Sequence, residues 1–140
     1  MPKKIVLFFL FAALLQSAEL NYTKEISLDK DQIQTVFIKE QQMLRVLTFR
    51  WTLFAGDGLV MHLNYNDRAS QFIFFKHYKK DTYRLKILPK KSAYKRTAYL
   101  YLVFKKFDHK TSKAHFDILV DDLEKRALIE VKPLKRVDNN

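Results

Sequence analysis

The sequence predicts an all-β fold, a small antiparallel β-sandwich of about eight or nine short strands, and three observations carry that expectation. Most of residues 19–140 fall into short segments in which apolar and polar residues alternate with a period of two. Polar turn signals recur every ten residues or so between them. Only one stretch, residues 39–45, has the composition of a helix. At 140 residues, one core and one domain are the default. Apolar residues make up 48% of the chain and aromatics 14%, which is too much apolar surface for a disordered segment. With only two Gly and three Pro, the turns must fall mainly on Asn, Asp and Lys-rich loops. An open barrel is the main alternative architecture.

The elements follow in order. Ile26 and Leu28 suggest a short first strand, and Ile33, Thr35 and Phe37 alternating with Gln34, Val36 and Ile38 a second. Residues 39–45 then read either as the one helix or as a strand running straight through. Leu47, Phe49, Trp51 and Leu53 alternate with Thr48, Arg50 and Thr52, so a single buried face is expected to hold all four apolar residues. Gly56-Asp57-Gly58 marks a tight turn, after which Leu59, Met61, Leu63 and Tyr65 alternate with His62 and Asn64 to complete a hairpin. Asn66-Asp67 marks the next turn. The continuous apolar run of residues 72–75 is expected to be a strand covered on both sides, or part of a buried helix.

Tyr83, Leu85 and Ile87 alternate with Arg84 and Lys86 until Pro89 stops the strand. Residues 98–104 are apolar on both faces and should form a central strand. A two-layer sandwich covers one face of each sheet, so either residues 39–46 or another molecule should lie over Tyr99, Tyr101 and Val103. Phe116, Ile118 and Val120, then Ala127, Ile129 and Val131, supply two last strands, which the short polar link 121–125 should join as a hairpin. The strand pattern resembles that of immunoglobulin-like domains, but without the cysteine pair that would make the likeness specific, and it implies no function.

Residues 1–18 read as a cleavable secretory signal. Lys3 and Lys4 form the positive start, and residues 5–15 are an unbroken apolar run too short to span a bilayer. Cleavage is expected after Ala18, although Gln16 fits the small-residue rule poorly. This divides the chain into a signal (1–18), a single β domain (19–132) and a frayed tail (133–140). The chain has no cysteine, hence no disulfide and no thiolate nucleophile. A secreted domain without disulfides fits a bacterial periplasmic or exported protein.

Charge is unevenly placed. Between residues 76 and 113 thirteen Lys and Arg stand against Asp81 and Asp108, a net +11, whereas residues 19–140 as a whole carry 24 cations and 15 acids, net +9. The positive excess therefore resides in this segment, which can gather an anionic partner. Tyr78, Tyr83, Tyr94, Tyr99 and Tyr101 interleave with the cations, a nucleic-acid signature in a cytosolic protein. An exported protein instead meets lipopolysaccharide cores, anionic lipid head groups and acidic glycans, so no nucleic acid is expected and membrane contact is peripheral at most. The residues chosen for the anionic partner are Lys79, Lys80, Lys90, Lys91, Lys95 and Arg96, flanking the strand at residues 83–88. They form two clusters at its opposite ends, which become one patch only if the second loop folds back along the sheet.

No motif for an enzyme or a cofactor is present. There is no G-x-S-x-G elbow, the glycine count excludes a Gly-rich phosphate loop, and the adjacent Asp121-Asp122 pair belongs to a turn. His109 and His115 approach each other if residues 107–116 form a hairpin, but the spacing matches no standard zinc site and Lys110 and Lys113 would repel a dication. The expectation is a non-enzymatic binding or interaction module without metal or cofactor. A subunit or assembly factor of an envelope complex, docking by an apolar patch or a sheet edge, is the competing reading.

Overall fold

In the computed structural model residues 21–134 are described; the apolar segment 1–18 and residues 135–140 of the tail lie outside them. Nine strands make up the described fold: β1 (Tyr22–Leu28), β2 (Gln34–Glu40), β3 (Met43–Ala55), β4 (Gly58–Tyr65), β5 (Arg68–Phe75), β6 (Thr82–Leu88), β7 (Ala98–Asp108), β8 (Lys113–Asp121) and β9 (Leu128–Val131). They form two antiparallel sheets, one ordered β1-β8-β7-β6 and the other β5-β4-β3-β2-β9. The all-β sandwich expected from the alternation is the fold observed. Its centres are meanders, β2 to β5 in one sheet and β6 to β8 in the other, whereas an immunoglobulin domain connects its strands by Greek keys. The likeness to that family is therefore one of layers and not of connectivity.

The core lies between the sheets. Leu47, Phe49, Trp51, Leu59, Met61, Leu63 and Phe74 of one inner face meet Leu100, Leu102, Phe104, Phe116, Ile118 and Val120 of the other, all buried. Aromatic edges bind the layers: Phe49 meets Phe116 at 6.1 Å, and Trp51 meets Phe107 edge-on at 5.5 Å between ring centroids.

The turns show why so few glycines suffice. Gly56 (φ 56°) with Asp57 (φ 64°), and Asn66 (φ 51°) with Asp67 (φ 66°), make two-residue links with both residues left-handed, the geometry that suits the twist of a hairpin. Residues 39–45 form no helix: Glu40 pairs with Met43 across Gln41 (φ 53°) and Gln42, so this stretch is the β2–β3 hairpin. Lys39 and Leu44 face each other there, and strand pairing overrides a weak helical preference.

Four other expectations change. Leu53 is 54% exposed and does not share the face of Trp51, because a β-bulge between them shifts the register and turns Phe54 inward instead. The run 72–75 is not covered on both sides, since β5 is a sheet edge where Phe74 is buried and Ile73 is 47% exposed. The last two strands are not a hairpin, because β8 pairs with β7 and β1 while β9 crosses to pair with β2. Residues 39–46 belong to the five-stranded sheet and do not lie over Tyr99, Tyr101 and Val103, which are only half-buried on the outside of the other sheet. Arg84 lies over the Tyr99 ring there, 4.8 Å from its centroid.

The crossover to β9 is fixed by buried polar groups. Asp122 accepts a hydrogen bond from Ala127 N at 2.8 Å, and its own N–H donates to Asn21 Oδ1 at 2.6 Å. Arg126, with its side chain 1% exposed, donates from Nε to Glu40 Oε2 at 2.7 Å and from Nη1 to the carbonyls of Pro89 and Arg96. The Arg126–Glu40 pair thus ties the crossover to the end of β2. Past β9, Leu134 still packs on the core.

Candidate anion-binding end and aromatic cleft

The strands deliver their loops to two ends. One end carries the turns 41–42 and 66–67 and the links 89–97 and 122–127; the other carries 29–33, 56–57, 76–81 and the β7–β8 loop 109–112. β6 separates Lys79 and Lys80 at the second end from Lys90, Lys91, Lys95 and Arg96 at the first, a span of about 20 Å at roughly 3.3 Å per residue. The 89–97 loop does not return along the sheet. It is held at its own end by Arg126 on Pro89 and Arg96, by Lys91 Nζ on Glu40 Oε1 at 2.9 Å, and by Glu124 Oε1 accepting from Arg96 N at 2.8 Å.

The two clusters differ electrostatically. Lys91 shares Glu40 with the buried Arg126, and burial alone would raise the Glu40 pKa, but the hydrogen bonds and charges of Lys91 and Arg126 outweigh it and hold the carboxyl below its ordinary value. Lys79 and Lys80, by contrast, stand in an exposed loop that folds against β7. Lys80 exchanges backbone hydrogen bonds with Phe75, Asp81 O accepts from Phe104 N at 2.7 Å, and Lys76 Nζ donates to Lys105 O. These contacts lay the 76–81 loop, with the exposed Lys76, Lys79 and Lys80, against the stretch of β7 that leads into the exposed Lys105 and Lys106. Lys105 has one counter-charge, Asp117 Oδ2 at 3.3 Å.

The same end holds an open cleft of about 990 Å³ between the 29–33 turn and the β7–β8 hairpin. Its floor is aromatic. Phe54 and Phe107 stack at 4.2 Å, Trp51 closes on Phe107 from the side, and His109 lies 5.1 Å from Phe107 and 5.8 Å from Phe54. Ser27, Asp29, Lys30, Gln32, Ser112 and Lys113 also line it, from the adjacent strands β1 and β8 and their loops. The hairpin wall is rigid at its tip, where Asp108 Oδ1 accepts the N–H groups of Lys110 (2.9 Å) and Thr111 (3.4 Å), and these hydrogen bonds hold the Asp108 pKa below its ordinary value.

The histidines go separate ways. His109 packs on the cleft aromatics, whereas His115 Nδ1 lies 2.8 Å from Ser27 Oγ, directly across the β1–β8 pair. Among the described residues His115 Nε2 is buried without a hydrogen-bond partner, and the Ser27–His115 contact links two strands. Among the described residues no group of three His, Asp or Glu gathers in a way that would hold a metal ion, and no helix is long and apolar enough to cross a membrane.

Sequence reasoning identified Lys79 and Lys80 but missed that their loop docks on β7 next to Lys105, and missed the cleft altogether. Its walls come from four separate stretches of chain, and Phe54 enters it only because of the bulge. The fold and this end define a two-layer β-sandwich with an open, aromatic-lined cleft among the loops of one end. Comparison with protein families, curated proteins and solved structures finds no match.

Proposed function

We propose that the protein is an exported, non-enzymatic binding module of a bacterial envelope that holds an anionic partner at its cationic end. The observation that carries this reading is that the 76–81 loop, with the exposed Lys76, Lys79 and Lys80, docks on the end of β7 that carries the exposed Lys105 and Lys106. Clustered charge of one sign raises the local concentration of an anion and speeds its encounter, an effect that weakens as salt screens it. Lys90, Lys91, Lys95 and Arg96 lie in a separate loop at the other end, where Lys91 shares Glu40 with the buried Arg126.

Export follows from the sequence of residues 1–18, and the expected result is that the protein isolated from its native envelope begins at Glu19. Intact-mass measurement tests this. A chain still carrying Met1 would overturn the cleavable signal.

Binding of the chain to lipopolysaccharide and to phosphatidylglycerol vesicles should be tight at low salt and fall steeply by moderate salt. Replacing Lys76, Lys79, Lys80, Lys105 and Lys106 together by Gln should weaken it by about tenfold or more, while exposed lysines contribute little to stability and the fold should persist. Replacing Lys90, Lys95 and Arg96 should cost less. If wild-type protein binds neither material, or the five-residue variant binds as well as wild type, the charge is only solvating and the reading fails.

A second reading is favoured by the outer face of the five-stranded sheet. Leu128 is 70% exposed there, Leu44 56% and Val46 36%, beside the half-buried Phe37 and the short edge strand β9. A subunit or assembly factor docked by this apolar face or edge would hold its partner with little response to salt.

A further inference from the structure

We infer that the recess between the edge strands β5 and β6 is a binding site for a terminal phosphate monoester, held by Arg45, Arg68 and Lys86. It lies at the end of the sandwich away from the 76–81 loop and shares no residue with that surface, so it goes beyond the proposed function and does not depend on it. The recess has a volume of about 480 Å³, within the usual range for ligand sites, and its lining includes these three cations and no carboxylate. Among the described residues none of the three has an ion-pair partner. A concave surface lined by one sign of charge focuses its field on an ion of the other sign.

The strands deliver the cations from both sheets. Tyr65 and Arg68 stand opposite each other across the β4–β5 hairpin, and Arg45 shares the inward side of β3 with Leu47 and Phe49. Leu85, Lys86 and Pro89 line the recess from the other sheet, where β6 is the edge. Arg45 is held in place, since its Nη1 donates to Ile87 O at 2.8 Å. A guanidinium carries five N–H donors in a rigid fork, so fixing one nitrogen aims the group and leaves donors for an oxyanion. Tyr65 donates its hydroxyl to the same carbonyl at 2.6 Å. Burial raises the Tyr65 pKa against the opposing effect of Arg45, so the phenol stays neutral and adds no negative charge. Glu40, whose charge reaches Tyr65, is already shared by Arg126 and Lys91.

The charge balance selects the class of ligand. Three cations with no acid among them favour a group with about two negative charges, as a phosphate monoester has near neutral pH, over a carboxylate or a phosphodiester with one. Arginine forks match the oxygens of such a group in pairs. Leu63, Leu85 and Pro89 give the esterified part an apolar side to rest on.

The test is calorimetric titration of the purified chain with phenyl phosphate at about 0.15 M salt, where the Debye length of about 8 Å screens diffuse attraction. Saturable binding is expected. Affinity should fall by about tenfold for methyl phenyl phosphate, which has one charge fewer, and for an Arg68→Gln, Lys86→Gln variant. A Lys24→Gln, Lys110→Gln variant loses the same charge at exposed positions outside the recess and should bind as wild type. Both variants should keep the wild-type unfolding midpoint, since all four side chains are exposed. Competition with phosphatidic acid vesicles identifies the source: displacement of phenyl phosphate assigns a membrane-borne monoester, and its absence a soluble one. No binding of phenyl phosphate, equal binding of its methyl ester, wild-type affinity in the Arg68, Lys86 variant, or an equal loss in the Lys24, Lys110 variant would each overturn the site and leave these cations as guards of two sheet edges. Phosphatidylglycerol binding through the 76–81 loop rests on other residues, so either reading can fail without the other.

Discussion

Trp51→Ala is expected to lower the stability of the domain by about 3–5 kcal/mol, the usual cost of removing a large buried aromatic side chain. Trp51 is 4% exposed, donates from Nε1 to Leu28 O at 2.9 Å, and meets the Phe107 ring edge-on. The substitution therefore removes inter-sheet packing and leaves a buried carbonyl without its donor. Small domains are stable by only about 5–15 kcal/mol in total, so the change takes a large share of what is available. Urea unfolding followed by far-ultraviolet circular dichroism measures it, since the variant has no tryptophan. Trp51→Phe should cost less, because it restores most of the volume and loses chiefly the hydrogen bond. A loss below about 1 kcal/mol for Trp51→Ala would mean that the ring does not fill the core as described.

Arg126→Ala is the second large effect, with an expected loss of about 3–5 kcal/mol, because it strands a buried carboxylate. Glu40 is 4% exposed and would retain only Lys91, itself at the surface. The pair also joins β2 to the 89–97 loop and to the crossover before β9, so those segments should lose amide protection first. The double variant Glu40→Leu, Arg126→Met should recover much of the loss, as apolar replacement of a buried ion pair often does. The sign of the pH dependence follows from Glu40. Its folded-state pKa is depressed, so its contribution is present above the ordinary carboxylate pKa of about 4.3 and is lost as pH falls through the lower folded value. Glu40→Gln should flatten the acid limb of the stability curve. Asp108, whose pKa is also depressed, contributes in the same direction, so a residual slope is expected from the hairpin tip.

Several elements were legible in the residues alone because their cause is local. Period-two alternation in 47–52 and 59–65 puts Leu47, Phe49, Trp51, Leu59, Met61 and Leu63 on inner faces, and Gly56-Asp57 and Asn66-Asp67 accept the left-handed backbone that a tight hairpin needs. The central place of residues 98–104 was equally plain, since β7 lies between β8 and β6. Alternation failed at Leu53 because one extra residue in a bulge reverses every side chain beyond it, and nothing in the sequence marks where the bulge falls.

From neighbours a few positions apart come the class of fold, the tight turns at 56–57 and 66–67 and the excess of positive charge in residues 76–113. Tertiary structure alone decided which sheet each strand joins. The partner of β9 depends on an ion pair between residues 86 positions apart, and such a contact leaves no periodic signal. It also decided which cations meet. The loop of Lys79 and Lys80 meets the Lys105 end of β7 and not Lys90 and Lys91, because an extended strand carries its two ends about 20 Å apart while the β5–β6 loop folds back against β7. The cleft is the furthest from the sequence: Trp51, Phe54, Phe107, Lys30 and Lys113 come together only when two sheets pack face to face and a bulge turns one ring inward.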